Sequence, residues 1–272
     1  LSEKIMTDQA IPLLPYERMA QLWRIVAEKR TLVHCMTNDV VQGITADLLL
    51  AAGASPAMVI DEHESADFSA IADALLINVG TLTEERSRSM IKAVQSAKAN
   101  GKPWVLDPVA AGLLPWRDEK IAYFLSMQPT VIRANASEIM SLAGVGAGGH
   151  GVDSTDDSTN ALEAAKMLAK RHQCIVAVTG KTDYATDGQK VLAATGDVPM
   201  ATLAVGTGCS LSALVAAFCA VDDNTLEATV AALMVMKLAA QNAVAQSAGP
   251  GSFRVALLDA LYSNLQFVRN AS

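Results

Sequence analysis

Residues 74–109 read "ALLINVGTLTEERSRSMIKAVQSAKANGKPWVLDPV". The stretch opens on an apolar run at 74–80 and closes on a second one at 104–107. Between them, residues 83–99 repeat apolar positions three or four apart. The outer pieces read as buried strands and the middle as a helix with one apolar face. A strand, a helix and a strand in that order make a right-handed crossover between parallel strands. The alternation continues on both sides. Further strands are expected at 31–35, 57–60, 130–133 and 174–180, and helices at 42–52, 135–143 and 160–172. A mostly parallel sheet covered by helices on both faces follows. Beyond residue 180 the pattern changes: Asp187-Gly188 signals a hairpin of two short strands, an antiparallel edge. From residue 210 the chain reads as helices at about 210–221, 225–247 and 252–268. With no internal repeat and no linker, residues 1–272 are read as one domain.

Composition limits what such a domain does. Of the 272 residues, 51% are hydrophobic and 18% charged, which excludes long disordered segments. The net charge of −7 argues against a nucleic-acid or anionic-membrane surface, so an anionic ligand must be held locally. The uncharged run at 198–221 is as long as a membrane span. Pro199, Thr202, Gly206, Thr207, Gly208 and Ser210 crowd its first half, so it is read as a loop followed by a buried helix. Charges scattered through the first 30 residues leave no apolar stretch for a secretory signal. The four cysteines lack C-x-x-C spacing, so reduced thiols and a cytoplasmic setting are expected.

Several motif matches fail on context. Gly144, Gly146 and Gly149 fit G-x-G-x-x-G but follow a helix rather than a strand, so "GVGAGGHG" (144–151) is read as a loop. "GKT" (180–182) lacks the upstream glycine of a P-loop. "DEHE" (61–64) and "DSTDD" (153–157) are read as solvated charged loops. Four stretches survive, each just past the carboxyl end of an expected strand, where open α/β sheets bind ligands. Asp107 in "LDPV" is either a rim carboxylate or a turn cap. "IRANASEI" (132–139) offers Arg133, then Asn135 and Glu138 at capping-box spacing. Thr179 in "VTG" either meets a phosphate or bonds the local backbone. "VGTGCS" (205–210) is the most informative: Gly206, Thr207, Gly208 and Cys209 let backbone N–H groups converge on an anion at a helix start. Together these make a phosphoryl-transfer inventory without a P-loop.

"LVHCMTNDVV" (32–41), "GASPAM" (53–58), "NVGTL" (78–82), "LDPV", "NASE" (135–138), "VTG" and "GTGC" (206–209) occur in the order found in hydroxyethylthiazole kinases, which the sequence resembles over roughly residues 30–255. The resemblance implies a three-layer α/β/α, ribokinase-like homotrimer that moves the γ-phosphate of ATP to the hydroxyl of 4-methyl-5-(2-hydroxyethyl)thiazole. By motif, Met58, Asn38 and Val40 would line the thiazole site, shared between subunits, with Gly206 close to the substrate hydroxyl. Arg133 and Thr179 would contact ATP, and Asp107 and Glu138 would organise Mg²⁺. The pattern departs at Ala134, where glycine is usual, and at Lys181, where glutamate is common. Ala134 requires a negative φ at that position.

In related sugar kinases an aspartate stands where this chain has Cys209. A helix N-terminus lowers a thiol pKa, which would make Cys209 a candidate base, although adjacent ATP opposes that lowering. Two other readings compete. One is an ATP- or ADP-dependent dehydratase of hydrated nicotinamide nucleotides, whose family usually has aspartate after the nest. The other is a thiazole-binding protein without turnover.

Overall fold

The computed structural model describes residues 11–145 and 154–271, and its core is one eight-stranded sheet in the order β2-β1-β3-β4-β5-β6-β7-β8. β1 (Leu32–Met36), β2 (Ser55–Ala57), β3 (Ala74–Asn78), β4 (Trp104–Asp107), β5 (Val131–Asn135) and β6 (Ile175–Thr179) are parallel. β7 (Asp183–Thr186) and β8 (Val191–Ala194) form the expected antiparallel edge.

Both faces of the sheet are buried, and β3 shows how. Ala74 and Leu76 face one core, with α1 (Tyr16–Lys29), α2 (Gln42–Ala51), α8 (Thr207–Cys219), α9 (Thr225–Val244) and α10 (Pro250–Asn270). Leu75 and Ile77 face the other, with α4 (Glu84–Ala99), α5 (Pro115–Ser126), α6 (Ala136–Ala143) and α7 (Ser154–His172). A strand buried on two faces reads as a continuous apolar run because successive side chains enter opposite cores. Three layers, α/β/α, result. Arg18 of α1 pairs with Asp222 and Glu227 at 2.7 Å each, fastening α1 to the junction of α8 and α9.

The uncharged run at 198–221 is a short 3-10 turn, Pro199–Leu203, followed by the buried helix α8. Among the described residues no helix is long and apolar enough to cross a membrane.

Some boundaries differ from expectation. The strand expected at 57–60 is β2, and it ends at Ala57 because the next carbonyls are taken by side chains. His34 Nε2 bonds the Val59 carbonyl at 2.7 Å, and Ser89 Oγ donates to that of Ile60 at 2.8 Å. The helix expected at 160–172 begins at Ser154, so residues 154–157 of the expected charged loop are helical. The sequence reading did not identify α1, α3 (Ser65–Ile71) or α5. Of the glycine-rich loop, Gly144 ends α6, while residues 146–151 lie outside the described residues.

Candidate functional site

The parallel strand order reverses between β1 and β3. β2 lies to one side of β1, and β3 to β6 run off on the other. Ligands of open α/β sheets bind outside the carboxyl ends of strands at such a switch point. Asn38 follows β1 there, Asn78 ends β3 and Asp107 ends β4. α8 packs across the same three strands.

Their side chains form one hydrogen-bonded chain. Asn38 Nδ2 donates to Asn78 Oδ1 at 3.0 Å and to the Cys209 sulfur at 3.5 Å. Asn78 Nδ2 donates to Asp107 Oδ2 at 2.7 Å, and Ser212 Oγ donates to the same oxygen at 2.9 Å. Asp107 is buried, and desolvation raises its carboxyl pKa to about 6. Glu138 adds repulsion, while Arg133, Ser212 and Asn78 work in the opposite direction.

The stretch 205–210 spans the start of α8. Gly206 is the N-cap of α8 with φ of 96°, a left-handed conformation, and it offers no side-chain cap. A Cβ there would stand 2.6 Å from Ile44 Cγ2, so glycine is required by conformation and by the approach of α2. Thr207 Oγ1 donates to the carbonyls of Ala201 and Ala204, which uses that hydroxyl to shape the turn. The first-turn N–H groups that follow have no intrahelical carbonyl to meet.

Beyond β5 and β6 a cleft of about 440 Å³ opens, lined in part by Arg133, Thr179, Thr207, Gly208, Met236 and Lys237. Arg133 is buried and donates to Thr179 Oγ1 at 2.6 Å. It makes no ion pair among the described residues, and its Nε has no partner. A Cβ on Gly208 would stand 3.1 Å from Arg133 Nη1, so glycine lets the guanidinium lie against the helix start. A buried, unpaired cation next to free N–H groups is a strong demand for an anion.

Glu138 forms the complete capping box with Asn135: Asn135 Oδ1 accepts from Glu138 N at 2.9 Å, and Glu138 Oε2 accepts from Asn135 N at 3.0 Å. Its Oε1 accepts from Ala110 N at 2.9 Å. Structural cap and candidate ligand are therefore one residue. Among the described residues no group of three or more His, Cys, Asp or Glu side chains converges on a metal position. Asp107 and Glu138 present hard carboxylate oxygens, which fit a magnesium ion completed by water and phosphate.

Cys209, the candidate base, is half-buried at the start of α8. Burial raises its pKa, the charge of Asp107 adds to the effect, and hydrogen bonds from Asn78 and Asn38 with the charge of Arg133 only offset it. This rise acts against the lowering expected at a helix N-terminus. Cys35, Cys174 and Cys219 are buried packing residues, each with its thiol pushed up to about 12.

Met58 lies half-buried just past β2, packed on the core that contains α8, while Val40 is 66% exposed. Ala134 is buried within β5 and its φ is not positive, so alanine replaces glycine without backbone strain. Lys181 is exposed at the mouth of the cleft.

Two contributors escaped the sequence reading. Asn78 is the central link of the polar chain. Lys237 Nζ donates to the carbonyls of Gly180 and Lys181 and pairs with Asp183 at 3.0 Å, bracing the loop after Thr179. Its signal was available: Lys237 is the only cation of α9 and follows the apolar run 230–236.

A sequence profile described as "HK: Hydroxyethylthiazole kinase family" matches residues 24–266. Among curated relatives, the hydroxyethylthiazole kinase of Klebsiella pneumoniae (strain 342) is 56% identical over 248 residues, covering 91% of this chain and 96% of its own. That of Escherichia coli O1:K1 / APEC is 52% identical over 259 residues, covering 95% and 99%. Among solved structures, the hydroxyethylthiazole kinase protein from Pyrococcus horikoshii OT3 has a TM-score of 0.84 at 38% identity, covering 90% of this chain and 92% of that one. A ribokinase-like superfamily protein from Enterococcus faecalis V583 shares the fold, with a TM-score of 0.70 at 13% identity over 98% and 99% of the two chains.

Proposed function

This chain belongs to the hydroxyethylthiazole kinase family, and we propose that its acceptor sits at the β1/β3 switch point while ATP fills the cleft beyond β5 and β6. The enzyme phosphorylates the alcohol of hydroxyethylthiazole with ATP, a step of thiamine salvage. The observation that carries the assignment of sites is Arg133, a buried guanidinium without an ion pair among the described residues, lying against Gly208 at the uncapped start of α8.

In this reading Arg133, Thr179 and the N–H groups of Gly208 and Cys209 hold the transferring phosphate. Asn38, Val40, Met58 and Gly206 shape the thiazole pocket. The alcohol oxygen forms a bond to the γ-phosphorus as the bond to the ADP oxygen breaks. The transition state is loose, so placement and charge matter more than early removal of the alcohol proton. Cys209 therefore lines the acceptor site as a thiol. Asp107 and Glu138 would hold Mg²⁺ through water, and the ion, when bound, would neutralise phosphate charge.

We read residues 1–272 as one kinase domain, supported by the single sheet that the described strands share. A homotrimer with shared acceptor sites is part of the proposal. Val40 of the acceptor pocket, with Leu203 and Val205 just before Gly206, are 66%, 68% and 61% exposed and offer apolar side chains to a second copy. A cytoplasmic setting suits the ATP requirement and four free thiols.

The test is ADP release from Mg-ATP with hydroxyethylthiazole, run beside a hydroxymethylpyrimidine, a simple sugar and no acceptor. Release that depends on the thiazole is expected. Equal release with every acceptor, or none with the thiazole, would overturn the reading.

A further inference from the structure

We propose that Asn78 is a positioning residue that locks the acceptor loop and the Asp107 carboxylate into one register, fixing where the alcohol stands relative to the phosphate. The proposal rests on the assignment of acceptor and phosphate sites above.

Asn78 is the last residue of β3 and is paired in register with Asp107, the last of β4. It is 1% exposed, so its amide has no access to bulk water and must find its partners within the protein. Oδ1 accepts from Asn38 Nδ2 and from the backbone N–H of Gly80, both at 3.0 Å, and Nδ2 donates to Asp107.

Two backbone groups fix the polarity of this chain. An amide side chain is ambiguous end for end unless a partner of unambiguous character resolves it. Gly80 N can only donate, so the edge of Asn78 that faces it is oxygen and the opposite edge is NH₂. Val40 N donates to Asn38 Oδ1 at 3.1 Å, which settles Asn38 in the same way. The sequence of bonds from Val40 to Asp107 therefore has one direction. Asn78 and Ser212 both donate to Oδ2 of Asp107, leaving Oδ1 as the oxygen without a hydrogen bond among the described residues.

The close packing of Gly80 against Asn38 reinforces the arrangement. A Cβ at residue 80 would fall 2.7 Å from Asn38 Nδ2, so the loops after β1 and β3 touch with no room to slide. A displacement of Asn38 is transmitted to Asp107 through one rigid planar group. A misplacement of this kind costs rate while leaving the binding of each substrate largely intact.

The test compares wild type with Asn78→Asp, which keeps the oxygen for Asn38 and Gly80 but turns another oxygen toward Asp107, and with Asn78→Ser, which removes both reaches. The readouts are kcat, KM for the thiazole and for Mg-ATP, thermal melting, and calorimetric binding of hydroxyethylthiazole to metal- and nucleotide-free protein. The expected result is a kcat at least about tenfold lower in both variants, with both KM values and the calorimetric affinity within about threefold of wild type. A kcat within about twofold of wild type would overturn the proposal. So would a loss seen only as higher KM or as a smaller folded fraction. If neither variant folds, Asn78 is a strut of the fold and the positioning role is withdrawn. A wild-type enzyme that binds the thiazole but does not phosphorylate it would instead sink the kinase assignment, and the proposal with it.

Discussion

The two ends of the site solve opposite problems. At the switch point, Asn38, Asn78, Asp107 and Ser212 bond to one another, so the amides and hydroxyl beside the acceptor are already matched and, among the described residues, only Asp107 Oδ1 is left open. At the cleft, Arg133 is buried with one neutral hydroxyl for a partner and α8 begins without a side-chain cap. Binding energy for a phosphate comes from charge left unmet in the free protein, whereas orientation of an alcohol comes from groups that cannot move. The contrast predicts that changes at the cleft act through anion binding and changes at the switch point act through rate.

The largest effect is expected from Gly208→Val. Residue 208 does not need a positive φ, so the helix tolerates valine, but the new side chain starts 3.1 Å from Arg133 Nη1 and fills the anion's place. A fall in kcat/KM of about 100-fold or more is expected with the melting temperature nearly unchanged, comparable to loss of a preorganised oxyanion donor. Full activity in this variant would break the assignment of the nest.

Arg133→Met sharpens the comparison because it separates binding from stability. Loss of a charge-assisted bond predicts a KM for Mg-ATP higher by roughly 10- to 100-fold. The same change removes an unpaired buried charge, so the ligand-free protein is expected to melt higher. A lower melting temperature would show that Arg133 is matched in the free protein and that the two ends are less different than argued.

Asp107 gives the comparison a pH axis. Its folded pKa, about 6, lies above the unfolded value near 3.8, so the native state binds more protons between them. Stability of metal-free protein should therefore fall as pH rises from about 4 to about 6, by at most about 3 kcal/mol. In Asp107→Asn this loss should vanish, with thermal melting across pH as the measurement, while turnover drops. An unchanged pH profile would mean that the buried chain accommodates the charge.

Much of this was legible in the sequence. Strands such as 74–78 and 104–107 announce themselves because burial on two faces demands unbroken apolar runs. The capping box at Asn135 and Glu138 and the turn at Asp187-Gly188 are local chemistry, and local chemistry survives in sequence. α1 was missed although Met19, Leu22, Trp23, Val26 and Ala27 repeat at helical spacing, and α5 because only Ile121, Phe124 and Leu125 of its residues are buried, too few to mark a face. β2 was misplaced because its end is set by His34 and Ser89, residues of other elements. Within the site, Asp107 and Thr179 lie at the carboxyl ends of β4 and β6 and Arg133 within β5, a placement legible from residue type and position. Asn78 was not found, since an asparagine at a strand end gains its meaning only when folding brings it between Asn38 and Asp107.

The smallest effect is expected from Cys209→Ala, and it bears on the comparison directly. If the acceptor end works by orientation, the thiol should matter as packing and as a weak hydrogen-bond acceptor for Asn38, not as a proton acceptor. Burial and the neighbouring Asp107 keep it protonated, which leaves little thiolate at neutral pH to act as a base. Alanine removes the sulfur but leaves its backbone N–H in the nest, so kcat should fall by less than about tenfold and its pH profile should keep its shape. Parallel assays of Cys209→Ala and Gly208→Val decide the matter. Equal inactivity with both proteins folded would make proton removal, rather than placement, the limiting demand at the acceptor end.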